Sequence, residues 1–222
     1  MISLLEGLLE HDAIYIIAVL SAYILALLFS LSLHEWAHAF TAYKQGDETP
    51  RAYGRLSLNP LAHIDPLGII CLLFFGFGWA KPVPVNPVKF KSYRKGMFLV
   101  SIAGVLMNIV LVIVGSFFYV LLLSKIGEPQ TILEIFGVNF FSILTMISFT
   151  LAIFNLLPIY PLDGFNVLRV CVKGQNKVLN FLERYGSIIM FVFIVSPIFS
   201  IILSFLESNV LLPLLTLWAA IL

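Results

Sequence analysis

Charged residues are scarce in this chain: Asp, Glu, Lys and Arg together make up 11% of its 222 residues, whereas 60% are hydrophobic. Soluble globular domains carry about 25% charged residues. The composition therefore excludes an ordinary soluble domain and indicates an integral membrane protein. The net charge is only +1, and no nucleic-acid partner is expected.

Cysteines are equally few. Cys71 and Cys171 lie far apart and show no CxxC spacing, which gives no sign of a disulfide framework or a thiolate zinc site. The first apolar stretch also lacks the basic residues that precede a cleavable signal peptide, since Glu6, Glu10 and Asp12 stand there instead. We expect that stretch to stay in the protein as a transmembrane helix.

Long polar segments are absent as well, and the longest polar connector covers only residues 44–65. We therefore expect one membrane-embedded domain, residues 1–222. Four apolar stretches are long enough to cross a hydrocarbon core of about 30 Å, which takes about 20 helical residues. They cover residues 13–43, 97–124, 132–157 and 178–206.

Two further apolar stretches, residues 67–79 and 210–222, are too short for an untilted crossing. The first is interrupted by glycines and flanked by proline-rich connectors, so residues 59–87 are predicted to form a re-entrant segment, with a β-hairpin as one form of it. The predicted fold is an all-α polytopic membrane protein. It has four long transmembrane helices, this re-entrant segment and a short C-terminal apolar helix at 210–222.

The basic residues bear on this topology, because cytoplasmic loops of membrane proteins are enriched in Lys and Arg. If residues 67–79 dip into the membrane and return, 12 of the 13 basic residues lie on one face, and only Lys125 lies on the other. If that stretch crosses, the basic clusters beside it fall on opposite sides. We predict the first topology, in which the ends of helices 13–43 and 132–157 meet at the cytoplasmic side of the cell membrane.

One sequence motif indicates a catalytic function. His34-Glu35-Trp36-Ala37-His38, an HExxH pentapeptide, lies inside the first predicted helix. Histidines four residues apart lie on one face of a helix, so both imidazoles can bind one metal ion while Glu35 projects toward the position left for water. The motif therefore predicts zinc-dependent hydrolysis within the bilayer.

A catalytic zinc ion usually has three protein ligands, and HExxH supplies two. His11 is excluded as the third because it lies at the far end of the same helix, about 35 Å away at about 1.5 Å per residue. Distance excludes neither His63 nor Asp65. Asp163 is the stronger candidate, because it follows a helix break at Pro158 and a carboxylate at the membrane edge needs a compensating cation.

Five stretches of the chain resemble the site-2 protease family of intramembrane zinc metalloproteases, in its short prokaryotic group without a PDZ domain: HEWAHAFTAYKQGD, GRLSLNPLAHIDPLG, GWAKPVPVNP, LVSIAGVLMN and FNLLPIYPLDG. They follow the family's order and spacing over about residues 33–169. The pairing of HExxH with NxxPxxxLDG is highly specific. The resemblance implies one zinc ion held by His34, His38 and Asp163, with Glu35 as the catalytic acid/base.

The resemblance also implies roles for two asparagines. Asn155 matches the asparagine that helps to hold the substrate or its oxyanion, and Asn108 matches the asparagine of the GPxxN motif, a predicted substrate contact. From the residues alone, Asn155 can equally cap the helix before Pro158, and Asn108 can hydrogen-bond between packed helices. The chain departs from the family pattern at Val105, in place of proline, and at Phe165 after Leu-Asp-Gly; these departures concern substrate fit.

The predicted function is hydrolysis of peptide bonds within or near the transmembrane segment of a single-span membrane protein, with the active site toward the cytoplasmic side of the lipid bilayer. Because helical carbonyls are already hydrogen-bonded, the substrate must unwind locally. A strand edge within residues 59–86 is a candidate for capturing the unwound segment.

Two alternatives stay open at this point: a metal transporter with the same ligands, and a catalytically inactive protease-like binding protein. A transporter is expected to carry acidic residues or histidines along several helices, yet the charged residues within 97–157 all lie near one loop. An inactive relative is expected to lose Glu35 or a ligand.

Overall fold

The computed structural model describes residues 12–68, 80–172, 174 and 176–222 of the chain. Regular structure in these residues is helical, apart from one isolated antiparallel bridge between Ile64 and Ala80. The main α-helices are, in chain order, α1 Ala13–Lys44, α2 Thr49–Ala52, α3 Tyr93–Ile126, α4 Ile132–Leu156, α5 Asp163–Cys171, α6 Lys177–Val195, α7 Pro197–Leu206 and α8 Leu212–Ile221. A π-helical turn joins α7 to α8, and 3₁₀ turns lie in the connector between α2 and α3; their bounds are Glu207–Leu211, Pro60–Ala62 and Pro87–Lys89.

Five helices in the described part of the chain are long and apolar enough to cross a membrane: α1, α3, α4, α6 and the continuous helix Pro197–Ile221. The protein is therefore an all-α, multi-pass membrane protein, which confirms that part of the sequence prediction. Helices α1, α3 and α4 begin and end within four residues of the predicted stretches 13–43, 97–124 and 132–157.

The structure differs from the prediction toward the C-terminus, where residues 178–206 form two helices instead of one. The break lies at Ser196, whose backbone is extended at φ −75° and ψ 155°. Pro197 is the cause, because its ring disfavours a helical conformation for the residue before it and it has no N–H to donate. The predicted short helix at 210–222 is instead the end of the 25-residue helix Pro197–Ile221.

Helices α1, α3 and α4 pack against one another to form the core. Small residues on α1 let its neighbours approach closely, since Ala22, Ala26 and Ser30 are fully buried. The hydroxyls of Ser30 and Ser148 lie 2.9 Å apart and join α1 to α4. A polar hydrogen bond in this interior fixes the rotation of the two helices about their axes.

The C-terminal helix packs along α4 in the opposite direction. The rings of Phe199 and Phe154 lie 5.7 Å apart, near the C-terminal end of α4. Farther along, Leu211 packs with Phe149, and Trp218 donates from Nε1 to the Ser116 hydroxyl of α3 at 3.0 Å. Rising residue numbers in the C-terminal helix thus match falling numbers in α4, so the two helices are antiparallel.

The connector between α2 and α3 folds back so that two distant parts of it pair with each other. The backbone N–H of Lys81 donates to the carbonyl of His63 at 2.8 Å, beside the Ile64–Ala80 bridge. The predicted re-entrant stretch, residues 67–79, lies between these pairs, and all of it after residue 68 is outside the described residues. The structure therefore bears on the predicted re-entrant segment only through the residues at its two ends.

Candidate metal centre

Two elements bring three potential ligands together. On α1, His34 and His38 lie one helical turn apart, and their Nε2 atoms are 3.0 Å from each other. Asp163, the first residue of α5, places Oδ2 3.4 Å from the Nε2 of His34 and 3.2 Å from that of His38. These three residues are the one group of potential metal ligands found in residues 12–68, 80–172 and 176–222.

The three atoms fit a zinc ion. A tetrahedral zinc ion with bonds of about 2.0–2.2 Å to nitrogen and oxygen has ligand atoms about 3.3–3.5 Å apart. The observed separations of 3.0, 3.2 and 3.4 Å come close to that triangle. In addition, Asp163 Oδ2 is buried and has no hydrogen-bond partner in the described residues. A buried carboxylate oxygen without a donor is costly unless a cation compensates it.

A close approach between two helix ends sets the position of Asp163. Proline residues end α4, and α5 begins immediately after they turn the chain. A Cβ atom on Gly164 would lie 2.3 Å from the carbonyl oxygen of Leu156 and 2.5 Å from that of Leu157. Only glycine therefore lets α5 start against the end of α4. The ring of Phe165 is buried and packs edge-to-face against Tyr160, away from a free surface.

One face of α3 supports both imidazoles through residues at intervals of four. The Nδ1 atom of His38 lies 2.7 Å from the carbonyl of Val100, and the Nδ1 atom of His34 lies 3.1 Å from the side-chain amide of Asn108. Between them, a Cβ atom on Gly104 would lie 2.4 Å from His38 Nε2 and 2.7 Å from His34 Nε2. The absence of a side chain at position 104 thus lets α3 contact both histidines.

The carboxylate of Glu35 is partly buried beside this group and accepts a hydrogen bond from the backbone N–H of Val83 at 3.1 Å. Pro82 and Pro84 flank Val83 and have no N–H, so Val83 supplies the donor in this stretch. The connector that carries it is tied to the end of α1, because the buried carboxylate of Asp47 accepts from the backbone N–H of Asn86 at 2.6 Å.

The other predicted site residues lie elsewhere. Asn155 donates from its amide to the Leu151 carbonyl of its own helix at 3.1 Å, in the last turn of α4. His63 is buried, with Nε2 2.8 Å from the carbonyl of Ser57. Asp65 accepts from the backbone N–H groups of the two residues that follow Pro66. His63 and Asp65 therefore organise the connector and do not belong to the metal-ligand group.

Sequence reasoning missed three contributors to this centre: Val83, Gly104 and Val100. The last two had a signal, since 100, 104 and 108 share one face of a predicted helix and Gly104 opens the stretch matched to GPxxN. For Val83 the sequence contains no such signal, because an extended connector has no periodicity from which a contact with Glu35 could be predicted.

Comparison with known proteins decides between the functions that the sequence left open. The sequence pattern of peptidase family M50 matches residues 123–197. The Bacillus subtilis (strain 168) protein named "Putative zinc metalloprotease YwhC" is 40% identical over 191 residues, which cover 85% of this chain and 87% of YwhC. The chain belongs to peptidase family M50. It is an intramembrane zinc metalloprotease of the site-2 protease type, and its metal is Zn²⁺.

More distant relatives carry the same activity in their names. Two proteins named "Putative zinc metalloprotease Rip2" match 77% of this chain and 65% of their own length. The one from Mycolicibacterium smegmatis is 29% identical, and the one from Mycobacterium tuberculosis (strain H37Rv) is 30% identical. No solved structure matches the chain.

Proposed function

We propose that His34, His38 and Asp163 hold one catalytic zinc ion, that Glu35 is the general base and acid, and that the enzyme cleaves a single-span membrane protein within or near its transmembrane segment. One observation carries this proposal: three potential ligand atoms lie 3.0–3.4 Å apart, and the carboxylate oxygen among them is buried and has no hydrogen-bond partner within the described part of the chain.

Different residues of the site have different roles in the proposed reaction. A zinc ion bound here supplies Lewis-acid activation of water and of the scissile carbonyl. Glu35 directly follows a ligand and takes the proton of the attacking water, then passes it to the leaving amine. The N–H of Val83 engages Oε2 of that carboxylate, which leaves Oε1 to carry the proton.

Substrate binding is assigned to the elements beside the zinc ion. Asn155 lies in the last turn of α4, next to Leu156, whose carbonyl contacts Gly164 and so neighbours Asp163. This location supports its predicted role in holding the substrate or its oxyanion. An unwound substrate is captured by strand addition at an edge within residues 59–86. Val83 brings this stretch against the carboxylate of Glu35.

The proposed topology has four crossings: α1, α3, α4 and Pro197–Ile221. The pairing of Ile64 with Ala80 supports a re-entrant segment, because a stretch whose ends touch begins and ends on the same side. The antiparallel packing of the C-terminal helix on α4 places Ser196 at the same end as the C-terminus of α4. Basic residues mark that end as cytoplasmic.

Helix α6 then does not cross the membrane, although its length would permit it. Its middle residue Gly186 packs against Tyr160, just beyond α4, and its end meets Phe199 through Phe193 at 5.7 Å. Both contacts lie at the cytoplasmic end of α4. One face of α6 carries an exposed apolar stripe with the spacing of an interfacial helix, and we assign it to the cytoplasmic leaflet. The stripe consists of Val178, Phe181, Tyr185, Ile188, Val192 and Val195.

Cysteine labelling tests the topology in a variant whose native cysteines, Cys71 and Cys171, are replaced. A membrane-impermeant maleimide is expected to label Ser196→Cys and Lys177→Cys only from the cytoplasmic side, and Ser124→Cys only from the outside. Labelling of Ser196→Cys from the outside would show that α6 crosses and would overturn the four-crossing proposal.

Cleavage of a purified single-span membrane protein in detergent, with product masses as the readout, tests the function. Glu35→Gln keeps the shape of the side chain but not its basicity, and is expected to lower the rate by about 10²–10⁴-fold. Glu183→Gln, which changes an exposed carboxylate on α6, is the matched control and should cleave as the wild type does. Equal rates for wild type and Glu35→Gln would contradict the proposed role.

A further inference from the structure

We propose that Asn108 is a positioning residue, which accepts a hydrogen bond from His34 Nδ1–H and so keeps the lone pair of His34 Nε2 free for the metal site that His34 shares with His38 and Asp163. This inference rests on the proposed zinc site. It gives Asn108 a role different from the substrate contact that the family resemblance implies.

The burial of Asn108 is the first observation that supports a positioning role. Its side chain is 0% exposed and lies on α3 against α1, with the amide nitrogen placed 3.1 Å from His34 Nδ1. With no accessible surface, Asn108 has no side-chain atom open to a substrate in this structure. The contact that Asn108 does make is with the imidazole.

The second step concerns which amide atom faces the histidine. A ligating Nε2 must offer its lone pair, so the proton of a neutral His34 must sit on Nδ1 and needs an acceptor there. The amide nitrogen that faces His34 is a donor, whereas Asn108 Oδ1 is buried and has no hydrogen-bond partner among the described residues. The amide oxygen and nitrogen are nearly equal in shape, and a half-turn of the amide exchanges them. That exchange gives the orphaned oxygen a donor and gives His34 Nδ1 an acceptor.

The third step is the parallel with the neighbouring ligand. His38 Nδ1 faces the carbonyl of Val100 at 2.7 Å, and a carbonyl can only accept. His38 therefore carries its proton on Nδ1 and leaves Nε2 free. Asn108 lies two turns farther along the same face of α3. It accepts the Nδ1 proton of His34, as the Val100 carbonyl accepts that of His38. Such outer partners fix ring orientation and tautomer in metal sites.

The test measures zinc affinity in the purified protein by competition with a chelator, beside thermal unfolding. Asn108→Leu has a similar size but no acceptor, and is expected to bind zinc about 10–100-fold more weakly. Asn108→Asp keeps an acceptor oxygen and should restore affinity to within a few-fold of the wild type. The absorption spectrum of the Co²⁺-substituted protein should change in Asn108→Leu and return in Asn108→Asp.

Ser148→Ala is the matched control, because Ser148 is also 0% exposed and bonds α4 to α1 through Ser30 at 2.9 Å. It should lower thermal stability without changing zinc affinity. If Asn108→Leu does not fold, Asn108→Ala, which only removes the amide, takes its place.

The outcomes separate the two proposals. Wild-type zinc affinity together with a raised KM in Asn108→Leu would overturn the positioning role in favour of substrate contact. A wild-type protein that binds no zinc would overturn the proposed site itself. Wild-type zinc binding with a loss in Asn108→Leu and a return in Asn108→Asp supports both.

Discussion

The three core helices and the C-terminal helices are all apolar enough to cross a membrane, but they are buried to very different extents. In the most apolar stretch of α1, α3 and α4, 28%, 39% and 33% of residues are buried within the protein, against 11% for α6 and 6% for Pro197–Ile221. Hydrophobicity alone does not draw helices together in lipid, where packing and polar contacts must do so. The histidines of the proposed zinc site, His34 and His38, therefore lie where helix–helix contacts are dense.

The serines of the two regions illustrate the difference. In the core, Ser30 bonds to Ser148 across two helices. In the C-terminal helix, Ser208 bonds to the carbonyl of Ser204 at 2.9 Å and Asn209 to that of Phe205 at 2.7 Å, both within their own helix. Ser30 and Ser148 thus hold two helices in register, whereas Ser208 and Asn209 are satisfied within their own helix.

The largest effect is expected for Asp163→Asn, which removes the negative charge from the proposed zinc site. Loss of metal activation costs about 4 kcal/mol, or roughly a thousandfold in rate. Zinc content and substrate cleavage measure it, with Asp65→Asn as the control that retains both. Full zinc content in Asp163→Asn would contradict its role as a ligand.

Next is Gly104→Ala, whose Cβ would lie 2.4 Å from His38 Nε2. The displaced ligands are expected to bind zinc roughly 10–100-fold more weakly. Gly115→Ala on the same helix meets the Thr145 hydroxyl at 2.7 Å and should cost stability only. If both variants keep zinc equally well, the contact between α3 and the histidines is not what holds the ligands.

Asp47→Asn is expected to destabilise the protein by about 2 kcal/mol, because a buried carboxylate loses charge-assisted hydrogen bonds. Burial alone would raise the pKa of Asp47, but backbone N–H groups of Asn86 and Thr49, with Lys89 nearby, hold that pKa below its usual range. The stabilisation is therefore present above pH about 4 and is lost as pH falls through the lowered pKa. Thermal unfolding against pH measures it: the difference between wild type and Asp47→Asn should shrink in acid.

A smaller change is expected for Trp218→Phe, which deletes one hydrogen bond between α8 and α3. Such bonds in membrane proteins contribute about 0.6 kcal/mol. Unfolding temperature should fall slightly while zinc content stays constant. A fall in zinc content would show that the C-terminal helix shapes the metal centre after all.

The smallest effect is expected for Arg169→Gln. Its partner Glu183 lies 3.0 Å away, and both side chains are about half exposed. Exposed ion pairs contribute at most about 1 kcal/mol. Unfolding of this variant in detergent should match that of the wild type, and a clear loss would mean that α6 is held to α5 more firmly than its few contacts indicate.

The sequence predicted the parts of the molecule that depend on local spacing. Four-residue spacing on a helix places His34 and His38 together. The topology inferred from the Lys and Arg positions places Asp163 at the same depth in the membrane as these histidines. The sequence did not predict the break at Ser196, because hydropathy is continuous across it, although Pro197 was a visible signal. It allowed Asn108 a hydrogen bond to another helix but did not name His34 as the partner, since a helix that is apolar on all sides does not reveal which face meets which neighbour.

The close packing of Gly164 against the carbonyls of Leu156 and Leu157 ties the position of Asp163 to the end of α4. Asp163 begins α5 directly after the turn that follows this helix, and a larger side chain at position 164 would not fit between the two elements. At about 1.5 Å per residue, the 25 residues of α4 extend over about 38 Å, which exceeds the thickness of a hydrocarbon core of about 30 Å. The proposed third ligand is therefore set in place by the end of a helix long enough to reach across the membrane.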